Sequence, residues 1–218
     1  MKRDDVNRLQ EIVVESNFHR DSEHDRSLSV TTLLGPAYKA AKRLHNVPKT
    51  NVLPAMKMRS AAIGTGFHLL AEKVLEPYLQ TDVIVEEFTE EYIAFADLWL
   101  SGTYDAAIFM DDTQEFELGD FKTGYGNTFK SAAKTTVQMS MYRWLNRKYL
   151  DIGDTGHVWW VSQSNNAMEH HAVELMTLDH TTKFIKERIQ KVLDVNFNDQ
   201  NDCQYDAAGE KIPFNMCD

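Results

Sequence analysis

The apolar positions of this chain repeat every three to four residues in its first third, every two in the middle, and with both spacings towards the end. That succession predicts helices, then strands, then helices and strands together. Residues 1–27 are polar without a clear stripe and read as a helical or partly mobile lead. In LSVTTLLGPAYKAAKRL, Ser29 or Thr31 supplies a cap ahead of helical spacing, and the N–H groups at such a helix start can receive a phosphate. The stretch HNVPKTNVLP is a loop by its two prolines and its asparagines. A helix is predicted from about Lys57 to Leu79, with Ile63, Phe67, Leu70 and Val74 on one buried stripe and His68 and Glu72 one turn apart at its margin.

From Asp82 to Thr123 the period falls to two. The segments VIVEEF, EYIAFADLWL, SGTYDAAIFM and EFELGDFKT read as strands of an antiparallel meander, with Asp111-Asp112 as the turn between the last two. Alternation puts Asp105 on the face of Ser101, Thr103 and Ala107, and Asp120 on the face of Lys122, with Phe121 pointing away. Gly124 and Gly126 end the strand before a helix from about Phe129 to Leu150, which sets Gln138 and Tyr142 four apart on one face. HVWWVSQS and HHAVELM are two further strands, and LDHTTKFIKERIQKVL is an amphipathic helix capped by Asp179. No periodicity follows Asn196, so the expected organisation is one α/β domain over 28–195 between a polar lead, 1–27, and a poorly packed tail, 196–218.

The chain has 218 residues, 43% of them apolar, enough for a single core. Its net charge of −10 argues against a protein that coats nucleic acid non-specifically, yet the charge is unevenly placed. No acid occurs from Ser27 to Ala71, where Lys39, Lys42, Arg43, Lys49, Lys57 and Arg59 lie, nor from Phe121 to Leu150, where Lys122, Lys130, Lys134, Arg143, Arg147 and Lys148 lie. The N-terminal MKRDDVNRLQEIVVE is charged throughout, unlike a secretory signal, and no apolar run approaches membrane-spanning length. Cys203 and Cys217 are the two cysteines, too few for a four-cysteine zinc or iron–sulfur site and in keeping with a reducing cytosol.

Between Gly102 and Tyr142 the polar residues form an ordered series: Asp105 in GTYDAAIF, Asp120 and Lys122 in GDFKTG, Gln138 and Tyr142 in VQMSMY, with His68 upstream in GTGFHLLAE. Each has a plain structural alternative. An Asp-x-Lys on a strand is an ordinary surface ion pair, a single histidine on a helix is usually a satisfied core residue, and Tyr142 continues a stripe through Leu145 and Tyr149. Asp105, in an otherwise apolar strand, is harder to explain without a partner or a metal. Two acids and a lysine on adjacent strands suit phosphodiester hydrolysis, in which carboxylates hold a hard cation that steadies the attacking water and the developing charge.

In this order and spacing the motifs resemble the RecB-like branch of the PD-(D/E)XK nuclease superfamily over about Leu28 to Ser164. The resemblance implies a restriction-endonuclease-like α/β core, a central mixed β-sheet flanked by α-helices, with the active site where strands diverge. It implies Mg²⁺ or Mn²⁺ held by Asp105, Asp120, His68 and the Phe121 carbonyl, with Lys122 orienting or helping to deprotonate water. Glu72 would hold His68 or a lysine, or complete a second metal position. Gln138 and Tyr142 would bind the DNA backbone or brace the lysine, and Arg59, Lys130 and Lys134 would contact phosphates. The family includes CRISPR-associated and phage recombination exonucleases, and the expected activity is end or flap processing of DNA in recombination, repair or mobile-element metabolism. Without a G-x-x-x-x-G-K-[ST] loop here, unwinding would need a helicase or recombination partner, and oligomers are compatible with such work. The alternative is a nuclease-fold adaptor that binds DNA or protein without cleaving it.

Overall fold

The computed structural model describes residues 23–46, 63–71, 73, 83–126, 129, 132–165 and 167–195. Strand β1 (Ser27–Ser29) runs directly into a four-residue helix, α1 (Val30–Leu33), and α2 (Ala37–Leu44) follows. The apolar spacing predicts one continuous helix here. Gly35-Pro36 divides it instead, because proline lacks the N–H that a continuing helix needs and disfavours helical geometry in the residue before it. Ser29 is the N-cap, and its Oγ accepts the Thr32 amide at 3.1 Å, so that amide is already used and is not free for a phosphate. Helical residues 63–71 form α3.

The sheet then builds from β2 (Val83–Ile93), β3 (Leu98–Met110) and β4 (Glu115–Gly124). EYIAFADLWL is not a strand: Ala94–Asp97 turn the chain, Ala96 N–H bonding Ile93 O at 3.1 Å and Asp97 taking φ 49°, a left-handed conformation that aspartate tolerates. The turn at Asp111-Asp112 is present and extends over four residues, with Gln114 N–H on Met110 O at 2.8 Å. Helix α4 (Ala132–Asn146), β5 (Ile152–Ser162), β6 (Met168–Glu174) and α5 (Leu178–Leu193) complete the described chain. The cap of α5 is Thr177, whose hydroxyl accepts the His180 amide; Asp179, expected there, lies in the first turn.

The six strands make one mixed sheet, ordered β1-β3-β4-β5-β6 with β2 also on β3. Antiparallel pairing joins β2 to β3, β3 to β4 and β5 to β6; β1 with β3 and β4 with β5 are parallel. Because β2 occupies one edge of β3 from Leu98 to Ile108, β1 and β4 must share the other. There β1 covers Trp99–Ser101 and β4 covers Ala106–Met110, which leaves an opening at Gly102–Asp105. On one face of the sheet α1, α2, α4 and α5 enclose the main core, including Leu28, Leu100, Tyr104, Met139, Leu145, Val158 and Ile185. On the other face Phe67 and Ala71 of α3 pack on Ala106, Phe121 and Trp159. Tyr104 and Ala107 go to the main core while Ala106 goes to the smaller cluster, so strict alternation breaks at Asp105. No helix among the described residues is long and apolar enough to cross a membrane.

Candidate active site

The opening in the sheet is where the sequence's polar series meets. Strand β4 stays paired to β5 through Asp120↔Val158, Phe121↔Trp159 and Lys122↔Trp160, but on its other edge the ladder with β3 stops at Gly119. Backbone groups past that point need other partners. The Phe121 amide donates to Asp105 Oδ2 at 2.7 Å, and His68 Nε2 donates to the Phe121 carbonyl at 2.9 Å. A carbonyl only accepts, so Nε2 carries the proton. His68 Nδ1 then faces Asp105 Oδ1 at 3.6 Å, too far for a direct hydrogen bond. The Phe121 ring holds this arrangement from behind, stacked on Trp159 at 5.3 Å and edge-on to Phe67 of α3 at 5.9 Å.

On the opposite side of the opening, Lys122 Nζ donates to Asp120 Oδ1 at 2.9 Å and to Gln138 Oε1 at 3.3 Å, and Gln138 Nε2 donates to the Tyr142 hydroxyl at 2.8 Å. Asp120 is 2% exposed, and its second oxygen, Oδ2, is buried without a hydrogen-bond partner among the described residues. A buried carboxylate oxygen left unpaired is costly. The atom therefore marks a place where a cation or a donor belongs.

The electrostatics follow the packing. Burial first, and the neighbouring Asp120 second, push the Asp105 carboxyl up to about 6, against the pull of His68, Lys122 and the Phe121 amide. Burial works to lower the Lys122 pKa, but the charges of Asp120 and Asp105 and the hydrogen bond to Asp120 outweigh it, so the ammonium is held above the ordinary lysine range. Burial likewise keeps the Tyr142 hydroxyl protonated.

Beside Lys122 and Gln138 opens a cleft of about 410 Å³, lined by the end of β4 from Lys122 to Tyr125, by Phe129 and Trp160, by Lys134 and Thr135 of α4 and by Thr31 and Leu34. Lys134 is exposed at this cleft. Arg59, Lys130 and Glu72 lie outside the described residues. The structure thus places His68, the Phe121 backbone and Asp105 in one group and Asp120, Lys122, Gln138 and Tyr142 in another, joined through the β4 backbone, with Lys134 at the adjoining cleft; among the described residues no three acid or histidine side chains are yet grouped as a metal site. Reading the sequence missed Tyr125, Phe129 and Trp160 as lining residues. The signal for Tyr125 was present, an aromatic residue between two glycines immediately after the acid-x-lysine strand.

No curated protein matches the sequence. Among solved structures, the one titled "Crystal structure of SSO0001" has the same fold, with a TM-score of 0.62 and 16% identity over 93% of this chain and 92% of that one. The profile of the PD-(D/E)XK nuclease superfamily matches residues 39–207, a span that holds every residue of the opening. A mixed sheet flanked by helices is that superfamily's restriction-endonuclease-like architecture, and the chain belongs to the PD-(D/E)XK nuclease superfamily of metal-dependent phosphodiester hydrolases.

Proposed function

We propose that this protein is a Mg²⁺- or Mn²⁺-dependent deoxyribonuclease of the RecB-like branch, an exonuclease or flap-processing enzyme in recombination, repair or phage DNA metabolism. The observation that carries the reading is the unpartnered Oδ2 of Asp120, buried beside Lys122 in an opening that Asp105 and His68 also face. The donor set fits a hard divalent ion: two carboxylates, a backbone carbonyl and one imidazole. Asp105, Asp120, the Phe121 carbonyl and His68 would hold it, and the hydrogen bond that His68 Nε2–H now makes to that carbonyl would give way where both bind the same ion. When bound, the ion supplies Lewis-acid stabilisation of the phosphate and a more acidic water.

The chain's own residues do the rest. Hydrolysis forms a P–O bond to the water oxygen and breaks the P–O bond to the leaving nucleoside oxygen. Without the ion the two carboxylates hold Lys122 protonated, as an ammonium; with their charge taken up by the ion it would orient the attacking water or help to deprotonate it, and it faces the negative charge that builds on the phosphoryl oxygens. Gln138, fixed by Tyr142, keeps that ammonium in place, which favours a bracing role for this helix pair over direct contact with the DNA backbone. Lys134 at the adjoining cleft suits a phosphate contact.

The test uses end-labelled linear DNA with Mg²⁺ or Mn²⁺, with EDTA, and with Lys122→Ala. Cleavage is expected with the ion, none with EDTA, and a loss of about 10²–10³ in rate for the variant, the scale of removing one charge-stabilising donor. Cleavage undiminished in the variant overturns the assignment. Separate 5′ and 3′ labels and a closed circular substrate read direction and distinguish exonuclease from endonuclease.

A further inference from the structure

The cleft beside Lys122 contains chemistry that phosphodiester hydrolysis does not use. Its volume of about 410 Å³ is at the lower end of small-molecule sites, about 300–1,000 Å³, large enough for one nucleotide and too small for a folded ligand. Its lining divides into three kinds of surface: aromatic rings from Tyr125, Phe129 and Trp160, a cation from Lys134, and hydroxyls from Thr31, Thr123 and Thr135.

Tyr125 is the unusual member. It is 60% exposed and makes no ring contact or side-chain hydrogen bond among the described residues, although it sits on a loop that is firmly anchored. The Gly126 carbonyl accepts from Ser162 Oγ at 2.7 Å and from Ser164 Oγ at 3.2 Å, and the Gly124 carbonyl accepts from the Gln163 amide at 2.8 Å. Gly126 takes φ 115°, which a side chain would resist, so the turn that presents Tyr125 is built into the backbone. An exposed aromatic ring on a fixed turn, with no other ring stacked on it, is what base stacking on a nucleic-acid strand requires. Lys134 is exposed and has no ion pair among the described residues, which leaves it available for a phosphate.

We infer that this cleft is the seat of one nucleotide at the end of the scissile strand, with its base on Tyr125 and Phe129 and a phosphate at Lys134. This rests on the nuclease reading above and deepens it. An enzyme that seats a single terminal nucleotide beside its reactive lysine releases mononucleotides, whereas one that grips an internal stretch releases oligonucleotides.

Trp160 lines the cleft, so occupancy can be read without catalysis, by titrating thymidine monophosphate against intrinsic tryptophan fluorescence. Saturable quenching is expected, at least about fivefold weaker in Tyr125→Ala and in Lys134→Ala and kept in Tyr125→Phe, since the phenyl ring still stacks. On end-labelled DNA, Tyr125→Ala should raise KM about tenfold with kcat changed less than about twofold, and the wild type should yield mononucleotides from its first turnovers. Absence of saturable binding to the wild type, or binding equal in wild type and Tyr125→Ala, overturns the subsite. If thymidine monophosphate binds as expected but no DNA is cut with either ion, the nuclease reading fails and the nucleotide site stands. Cleavage to oligonucleotides alone sinks the subsite and spares the nuclease.

Discussion

Asparagine in place of Asp105 should make the metal-free protein more stable, even though it removes a residue at the centre of the site. The Asp105 carboxyl moves from 3.8 to about 6 on folding, and it is only 18% exposed. At about 1.36 kcal/mol per pKa unit, ionising it inside the fold costs roughly 3 kcal/mol. The folded protein holds this proton more tightly than the unfolded chain does, so the term favours folding in acid. It is lost as the pH rises from the unfolded value near 4 through the folded value near 6, and is gone by about pH 7. The asparagine side chain cannot ionise, still offers an oxygen to the Phe121 amide, and removes the repulsion with Asp120. After subtracting about 1 kcal/mol for weakened contacts, a net gain of about 1–2 kcal/mol is expected at about pH 7.5, or roughly 2–8 °C in Tm for a chain of this size. The assay is urea unfolding in EDTA at about pH 5 and about pH 7.5. Between those values the wild type should lose roughly 1 kcal/mol relative to Asp105→Asn, because about one pH unit of the titration lies above pH 5. Added Mn²⁺ should raise the wild-type Tm and leave the variant's nearly unmoved. A variant less stable than wild type by the same amount at both pH values would refute the argument, since the carboxylate would then be worth more through its contacts than its ionisation costs.

Three other perturbations separate the roles of neighbouring residues. Gln138→Ala removes the brace on Lys122 and should lower kcat about 10–100-fold with little change in KM, measured on end-labelled DNA; an equal rise in KM would point to direct substrate contact instead. Gly119→Ala places a Cβ 2.7 Å from Trp159 Cζ3, directly before Asp120, and should cost about 1–3 kcal/mol in urea unfolding, largely restored by Trp159→Leu in the same chain. Arg188, 6% exposed, donates from Nε to the Leu33 carbonyl at 2.9 Å and from Nη2 to the Gly35 carbonyl, so Arg188→Met should destabilise by about 2–4 kcal/mol by stranding the carbonyls at the α1–α2 break, visible as a lower urea midpoint.

Where local sequence decides the outcome, the fold was readable. The alternation of β3 and β4 named strands that the structure contains, and the four-residue separation of Gln138 and Tyr142 became a hydrogen bond; the spacing around Phe67 named a helix, but Ile63 and Leu70 of its expected buried stripe are exposed and Val74 lies outside the described residues. The misreadings occur where one local signal competed with another. Apolar Ile93, Phe95 and Trp99 made EYIAFADLWL look like a strand, but the chain reverses at Ala94–Asp97, so Ile93 ends β2 and Trp99 lies near the start of β3 opposite Tyr92. Gly35-Pro36 was in plain view and outweighs the helical spacing on either side of it. β1 has three residues, too short for any period to show, and it exists because Trp99, Leu100 and Ser101 offer it a parallel edge.

The acids and the lysine could be picked out by type and order, but not the reason that they gather beside one opening. That reason is long-range: β1 and β4 occupy the same edge of β3 and leave Gly102–Asp105 between them, a fact about three strands that no window of sequence contains. Once the edge is divided, the chemistry is constrained. The Phe121 amide must find an acceptor and takes Asp105; its carbonyl must find a donor and takes His68; Asp120 and Lys122, on either side of Phe121 in β4, are then held beside the same opening. The carboxylates are brought together by unsatisfied backbone, not by attraction for each other, and the raised pKa of Asp105 records that cost. A fold that collects like charges in this way, and leaves Asp120 Oδ2 without a partner among the described residues, is one that the proposed cation would relieve.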